Sequence, residues 1–124
     1  MASEALGAIA FDRPGGEACK SAAQRPIDLA HLSRQTMGDR ALEQEILQMF
    51  AQQAVGVVDQ IAKAGASETL LLAHGLKGSA RGVGAFAIAD CVGELERHPE
   101  DAATRKRLSK LVAQARDFIA AISR

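Results

Sequence analysis

The 124 residues predict an all-α protein: an antiparallel up-and-down four-helix bundle preceded by a short extra helix. Three observations carry this reading. From Pro26 onward, apolar residues recur at three- and four-residue steps, the spacing of one helix face. Each such run is bounded by residues that start or stop helices. No stretch shows the sustained two-residue alternation of a half-buried strand, so the pattern calls for no strand.

The elements follow in order. Residues 1–25 contain Pro14, Gly15 and Gly16 without a sustained period, and are expected to form a tail that is loose or packs only locally. Residues 26–124 are then the bundle. In "PIDLAHLSRQTMG", Pro26 is expected to open a short helix and Gly38 to close it. Asp39 caps a long helix to about Ala64, with Leu42, Ile46, Met49, Phe50, Val57 and Ile61 as its apolar positions. Gly65 ends it, and Ser67 is expected to cap the next. A further helix begins near Ala85, buries Ile88, Cys91, Val92 and Leu95, and stops at Pro99. The last starts near Asp101 and presents Leu108, Leu111, Ala115, Phe118, Ile119 and Ile122. One chain supplies all four long helices and can close its own core, so a monomer is expected.

Composition excludes several classes of function. Fifteen basic residues balance fifteen acidic ones, which leaves no basic surface for nucleic acid and no polybasic membrane anchor. Tyrosine and tryptophan are absent, and with them the usual platforms for stacking on single-stranded bases. The opening "MASEALGAIAFDRPGG" has an early glutamate and too short an apolar run for a secretory signal, and nothing approaches a membrane span. Cys19 and Cys91 make neither a disulfide framework nor a zinc pattern, and read as reduced thiols of a cytoplasmic protein.

The segment "LLLAHGLKGSARGVGA", Leu70 to Ala85, is where chemistry concentrates. Its glycines each cost about 1 kcal/mol relative to alanine in a helix interior, so something other than helix stability shapes it. At roughly 100° per residue, Leu72, Leu76, Ser79 and Val83 lie opposite His74 and form the core stripe, with Ala73 and Ala80 at its edge. A histidine among leucines is usually a satisfied core residue; this one points to solvent. Leu70, Leu71, Lys77, Gly78 and Arg81 share its face. Gly78 removes a side chain beside the imidazole, Lys77 and Arg81 bring positive charge, and Leu70 and Leu71 expose an apolar rim suited to a partner. Neutral imidazole is a competent nucleophile near neutral pH, and Lys77 offers compensation if phosphate arrives on it. Small residues along a helix can equally let another helix pack close, and Gly75 and Gly82 fit that reading better than Gly78.

The stretch "HGLKGSARGVGAFAIADCVGELE", His74 to Glu96, resembles the signature of histidine-containing phosphotransfer (HPt) domains. The matching positions are His74, Lys77, Gly78, Ser79, Val83, Gly84, Ala85, Leu95 and Glu96, and "GDRALEQEILQMF" is similar to the preceding helix of that family. The resemblance covers roughly residues 27 to 122. Arg81-Gly82 departs from the small or polar residues many members carry there, which bears on partner choice rather than chemistry. The resemblance implies that His74 accepts a phosphoryl group from a receiver-domain aspartate and passes it to another receiver. It also implies that Lys77 assists electrostatically and that Gly78 keeps the approach clear. The implied partners are response-regulator receiver domains and a hybrid sensor kinase.

No glycine-rich phosphate cradle beside a strand and no kinase catalytic-base motif occurs, so the chain reads as a carrier without ATP-dependent kinase activity. No carboxylate cluster suggests a magnesium site, so no cofactor is expected on this chain and the metal is expected on the receiver. Two alternatives stand beside this reading. A non-transferring adaptor could keep the bundle and bind a receiver or kinase. A metal or hydrolytic enzyme would need clustered histidines, but His31, His74 and His98 fall on different elements without ligand spacing. His98, at a helix end, suits the helix dipole as a cation. Arg105, Lys106, Arg107 and Lys110 read as the solvated face of the last helix, and Asp90, Glu94 and Glu96 as exposed positions.

Overall fold

A computed structural model describes residues 25–123, and five α-helices are the regular elements among them. They are α1 (Leu29–Gln35), α2 (Arg40–Ile61), α3 (Ala66–Val83), α4 (Phe86–Arg97) and α5 (Ala102–Ile122). The expected tail, with Cys19, lies outside the described residues. Helices α2 to α5 pack in a ring, each against its sequence neighbours, with α5 closing onto α2. Short connections force antiparallel neighbours, so the ring is an up-and-down four-helix bundle. The short α1 packs across the α2–α3 edge.

The helix starts follow from carboxylates. Asp39 Oδ1 accepts from the Leu42 amide at 3.0 Å, and Asp101 Oδ2 accepts from the Thr104 amide at 3.2 Å. Each satisfies a backbone donor that the first turn leaves without an intrahelical partner. The same device corrects the start of α1: Asp28 Oδ1 accepts from the His31 amide at 3.0 Å, so Asp28, not Pro26, opens the helix. Ser67 does not cap α3 either. Gly65 stands at that position without a side-chain bond, and Ser67 lies inside the first turn.

Burial shows where the apolar pattern misleads. The stripe of α2 is Leu47, Phe50, Ala54, Val57 and Ile61, stepping by three and four residues. Leu42 and Met49, expected inside, are exposed, and Ile46 is half-buried. The expected series mixes two faces of the helix, and Ala54, which marks the inward one, was too small to register as core. On α3 the buried residues are Thr69, Ala73, Leu76, Ala80 and Val83. The stripe is thus turned toward the two alanines, leaving Leu72 and Ser79 half-buried at its flank. Ile88, Cys91, Val92 and Leu95 of α4 are buried as expected. Burial pushes the Cys91 thiol up, and its Sγ lies 3.7 Å from the Thr104 carbonyl oxygen, a structural environment. On α5, Leu108, Ala115 and Ile119 are buried, while Leu111, Phe118 and Ile122 are half-buried around Val112.

Arg105 is the largest departure from the expected solvated face. Its guanidinium donates to the carbonyls of Pro99 (2.9 Å), Ile61 (3.1 Å) and Ala64 (3.4 Å) and to Thr69 Oγ1 (3.0 Å). It therefore closes the C-terminal end of α2, where helix carbonyls lack partners, and ties α2, α3 and α5 at one end of the bundle. Arg107 is not free either, since it pairs with Glu94 of α4. We expect Arg105→Ala to lower unfolding free energy by about 2–3 kcal/mol, the scale of charge-assisted bonds left unmade. Urea denaturation should show this, with Arg105→Lys recovering only part because an ammonium cannot span the four acceptors.

Candidate functional site

The outer face of α3 is built around what the chain omits. A Cβ added to Gly75, Gly78 or Gly82 would meet no atom within 4 Å. None of the three mediates close helix packing among the described residues, which corrects that reading for Gly75 and Gly82. Gly84 is different. Its φ is +90°, a Cβ there would lie 2.8 Å from the Asp28 carbonyl oxygen, and its own carbonyl accepts from the Asp28 amide at 2.9 Å. Only glycine meets the left-handed geometry and the close approach together.

His74 stands on this outer face with its side chain 82% exposed. Its Nδ1 is 3.5 Å from Glu96 Oε2, and the other carboxylate oxygen, Oε1, is paired with Lys77 Nζ. Glu96 and Lys77 are each about one-fifth exposed, and they bridge α4 to α3. With Nδ1 turned toward a carboxylate, the tautomer that donates from Nδ1 is favoured. In that tautomer the Nε2 lone pair is at the far side of the ring, the form in which imidazole attacks an electrophile.

Glu96 ends the stretch that resembles the family signature, but on its own helix it reads as one more exposed carboxylate, and the sequence alone assigns it no role at the site. Its signal lay in the Leu95-Glu96 step: Leu95 is fully buried, and the next residue is carried toward the α3 side. Lys77 is held beside the histidine by Glu96 rather than extended into solvent. The hydrogen bond from Lys77 is the main reason the Glu96 carboxyl sits below its ordinary range, assisted by His74 and opposed by partial burial. Asp90 is exposed as expected, while Glu94 is engaged by Arg107.

Leu70, Leu71 and Arg81 share the exposed side of α3, with Leu71 at 77%. The preceding helix adds two residues that sequence reasoning placed inside, Leu42 and Met49. Val58, on one flank of α2, lines a groove shared with Arg105, Lys106, Leu108 and Ser109 of α5. By helical angle, Leu42 and Met49 fall roughly 100° to the other side of the buried stripe, the flank that adjoins α3. Apolar side chains of α2 thus border the glycine side of the histidine helix.

His31 and His98 are not gathered to His74. The His31 ring lies edge-on to Phe86 at 5.1 Å, and His98 ends α4. Among the described residues no group of three or more His, Cys, Asp or Glu is placed to hold a metal ion. No helix among them is long and apolar enough to cross a membrane.

A helical bundle bearing a solvent-facing histidine beside a carboxylate, flanked by a lysine and a glycine, defines a module for chemistry on imidazole. The model of the Hpt domain family matches residues 45–123, and the chain belongs to that family. Hpt domains are histidine phosphotransfer modules of two-component phosphorelays; they act as phosphocarriers, not kinases, and interact with receiver domains. Searches of curated proteins and of solved structures found no match to this chain.

The site makes one electrostatic prediction. A carboxyl whose folded pKa is depressed contributes stability above its unfolded value, near 4.3, that is lost as pH falls through the lowered folded value. In a carboxyl-detected NMR titration, Glu96 should therefore protonate below that value. Lys77→Met should move its midpoint upward, because Lys77 is the principal cause; an unmoved midpoint would remove Lys77 from the site's electrostatics.

Proposed function

We propose that His74 is the phosphoryl-accepting residue, taking the group from a receiver-domain aspartate and passing it to a second receiver. In the forward step His74 Nε2 attacks phosphorus in line. The N–P bond forms, the P–O bond to the aspartyl carboxylate breaks, and the carboxylate leaves with the electron pair. The proton on Nδ1 stays, so the ring becomes cationic as the bond forms. Glu96, 3.5 Å from Nδ1, is placed to stabilise that developing charge, and Lys77 lies beside the site to offset the incoming phosphoryl oxygens. Return to a second receiver is the reverse of the same step. The observation that carries this reading is the His74 imidazole, its side chain 82% exposed and its Nδ1 3.5 Å from a carboxylate that is also paired with Lys77.

Positioning and charge neutralisation are what such a transfer asks of a protein. On this reading no cofactor belongs to the chain, magnesium belongs to the receiver, and the carrier works as a cytoplasmic monomer loaded through a hybrid sensor kinase. Leu70, Leu71 and Arg81, joined by Met49 and Leu42, form the face on which a receiver docks.

Incubation with a phosphorylated receiver and magnesium should place acid-labile, alkali-stable label on the wild type and none on His74→Gln. Absence of label from both, while receiver binding persists, would favour the non-transferring adaptor. Gly78 separates access from folding. Because a Cβ there meets nothing within the chain, Gly78→Ala should raise stability by up to about 1 kcal/mol through helix propensity. It should nevertheless slow transfer measurably in a rapid-quench assay; unchanged transfer would deny Gly78 a steric role.

A further inference from the structure

Two cations share the His74 face of α3, and they are not in the same state. Lys77 Nζ is paired with Glu96, so its charge is largely cancelled where it stands. Arg81 is exposed and, among the described residues, enters no ion pair. We propose that Arg81 is a recognition residue: its guanidinium engages a carboxylate on the surface of the incoming receiver, and so decides which receivers dock and how fast, without acting on the transferred group. The identity of the partner rests on the phosphotransfer reading; the demand for a carboxylate does not.

Position makes Arg81 meet whatever reaches His74. Arg81 lies about 20° from His74 around the helix and about 10 Å further along it. Helical side chains lean toward the N-terminus, so Arg81 covers the turn of Lys77 and Gly78 that separates it from the imidazole. The glycines leave room for a partner there: a Cβ on Gly78, or on Gly82 beside Arg81, would meet no atom within 4 Å. A receiver surface laid over His74 can therefore come down close to the guanidinium and take part of it out of water. A charge desolvated without a counterion is costly, so a receiver offering a carboxylate is favoured and one offering a lysine is rejected. The planar fork of a guanidinium suits a carboxylate in particular, because two parallel N–H···O bonds can form. Leu70 and Leu71, one turn before His74, supply exposed apolar contact, while Arg81 supplies charge two turns after it. A receiver that satisfies both is held in one direction along α3. Since the chain carries no net charge, an uncommitted cation beside the site also biases the final approach of an acidic surface, over a screening length of about 8 Å at physiological salt.

Two readouts on the full chain separate recognition from transfer. The probe is a receiver domain that binds the wild type. Its association, with a fluorescent label on the receiver, is followed by stopped flow, and transfer at saturating phosphorylated receiver by rapid quench. Arg81→Ala should slow association roughly three- to tenfold at low salt, and the difference should shrink as salt is raised. Arg81→Lys should keep most of the association rate, and Arg81→Glu should slow it further. One receiver variant, with a single Asp or Glu at its docking rim changed to Lys, should restore binding to Arg81→Glu while binding the wild type less well. Transfer at saturation should stay within roughly twofold of wild type throughout, as expected of a charge that acts on encounter and docking. Association rates of Arg81→Ala and Arg81→Glu equal to wild type at every salt concentration would overturn the inference. Failure of every single receiver lysine to rescue Arg81→Glu would also overturn it, by removing the carboxylate partner. A saturating transfer rate that falls with the charge at position 81 would do the same, by assigning Arg81 to the reacting group. Charge-dependent binding with no label on His74 would instead overturn the phosphotransfer reading and leave the docking carboxylate standing.

Discussion

Between Val83 and Phe86 the chain reverses within two residues. Gly84 takes the left-handed conformation, and the Gly84 and Ala85 amides both bond back to the Ala80 carbonyl, at 3.1 and 2.7 Å. So short a reversal fixes the register of α3 against α4, and the register decides what the site contains. Glu96, on the last turn of α4, arrives beside Lys77 and His74 because no slack remains in the corner to let one helix slide past the other. The same glycine receives the Asp28 amide, so the entry of the chain, the corner and the site share one constraint. A longer loop would preserve the bundle and lose the triad.

The exposed face of α3 runs against helix stability. Gly75, Gly78 and Gly82 together cost on the order of 3 kcal/mol relative to alanine, a large share of the 5–15 kcal/mol by which domains of this kind are folded. The opposite face offsets it. Thr69, Ala73, Leu76 and Ala80 are fully buried, and the two alanines let α3 approach its neighbours closely around Leu76. The helix is thus held by one side so that the other can be bare. That division explains why an isolated α3 segment is a poor helix by propensity and a sound one within the ring.

Much of this was legible in the sequence because it rests on local rules. Asp39 and Asp101 cap where their spacing says they should, and the outward aim of His74 follows from 100° per residue alone. Other features depend on contacts between distant segments. Arg105 reads as part of a basic run until Ile61 and Ala64 place their carbonyls against it from 41 to 44 residues away. Glu96 reads as surface until α4 folds back along α3. The mistaken burial of Leu42 and Met49 has another cause. Two registers of α2 carry apolar residues, and choosing between them requires Ala54, whose small side chain weighs little in a periodicity and much in a tight core. Even so, the two residues displaced from the core fall on the flank that adjoins the histidine helix.

The pairing of Glu96 with both His74 and Lys77 resolves a conflict in the chemistry. A carboxylate is needed at Nδ1 to fix the tautomer and to steady the ring as it gains positive charge. Yet a bare carboxylate there would repel the phosphoryl group the histidine receives. Unit charges 4 Å apart interact by about 1 kcal/mol in water and about 4 kcal/mol at the effective dielectric of a protein surface, enough to matter in either direction. Lys77 cancels most of that field at a distance while leaving the contact at Nδ1 intact. Since the whole chain carries no net charge, this local balance, with Arg81 adding to it, sets the potential an incoming anion meets. Removing the lysine would not simply subtract a positive charge; it would expose the negative one it holds. The carboxylate orients the histidine, and the lysine makes that orientation compatible with an anionic substrate.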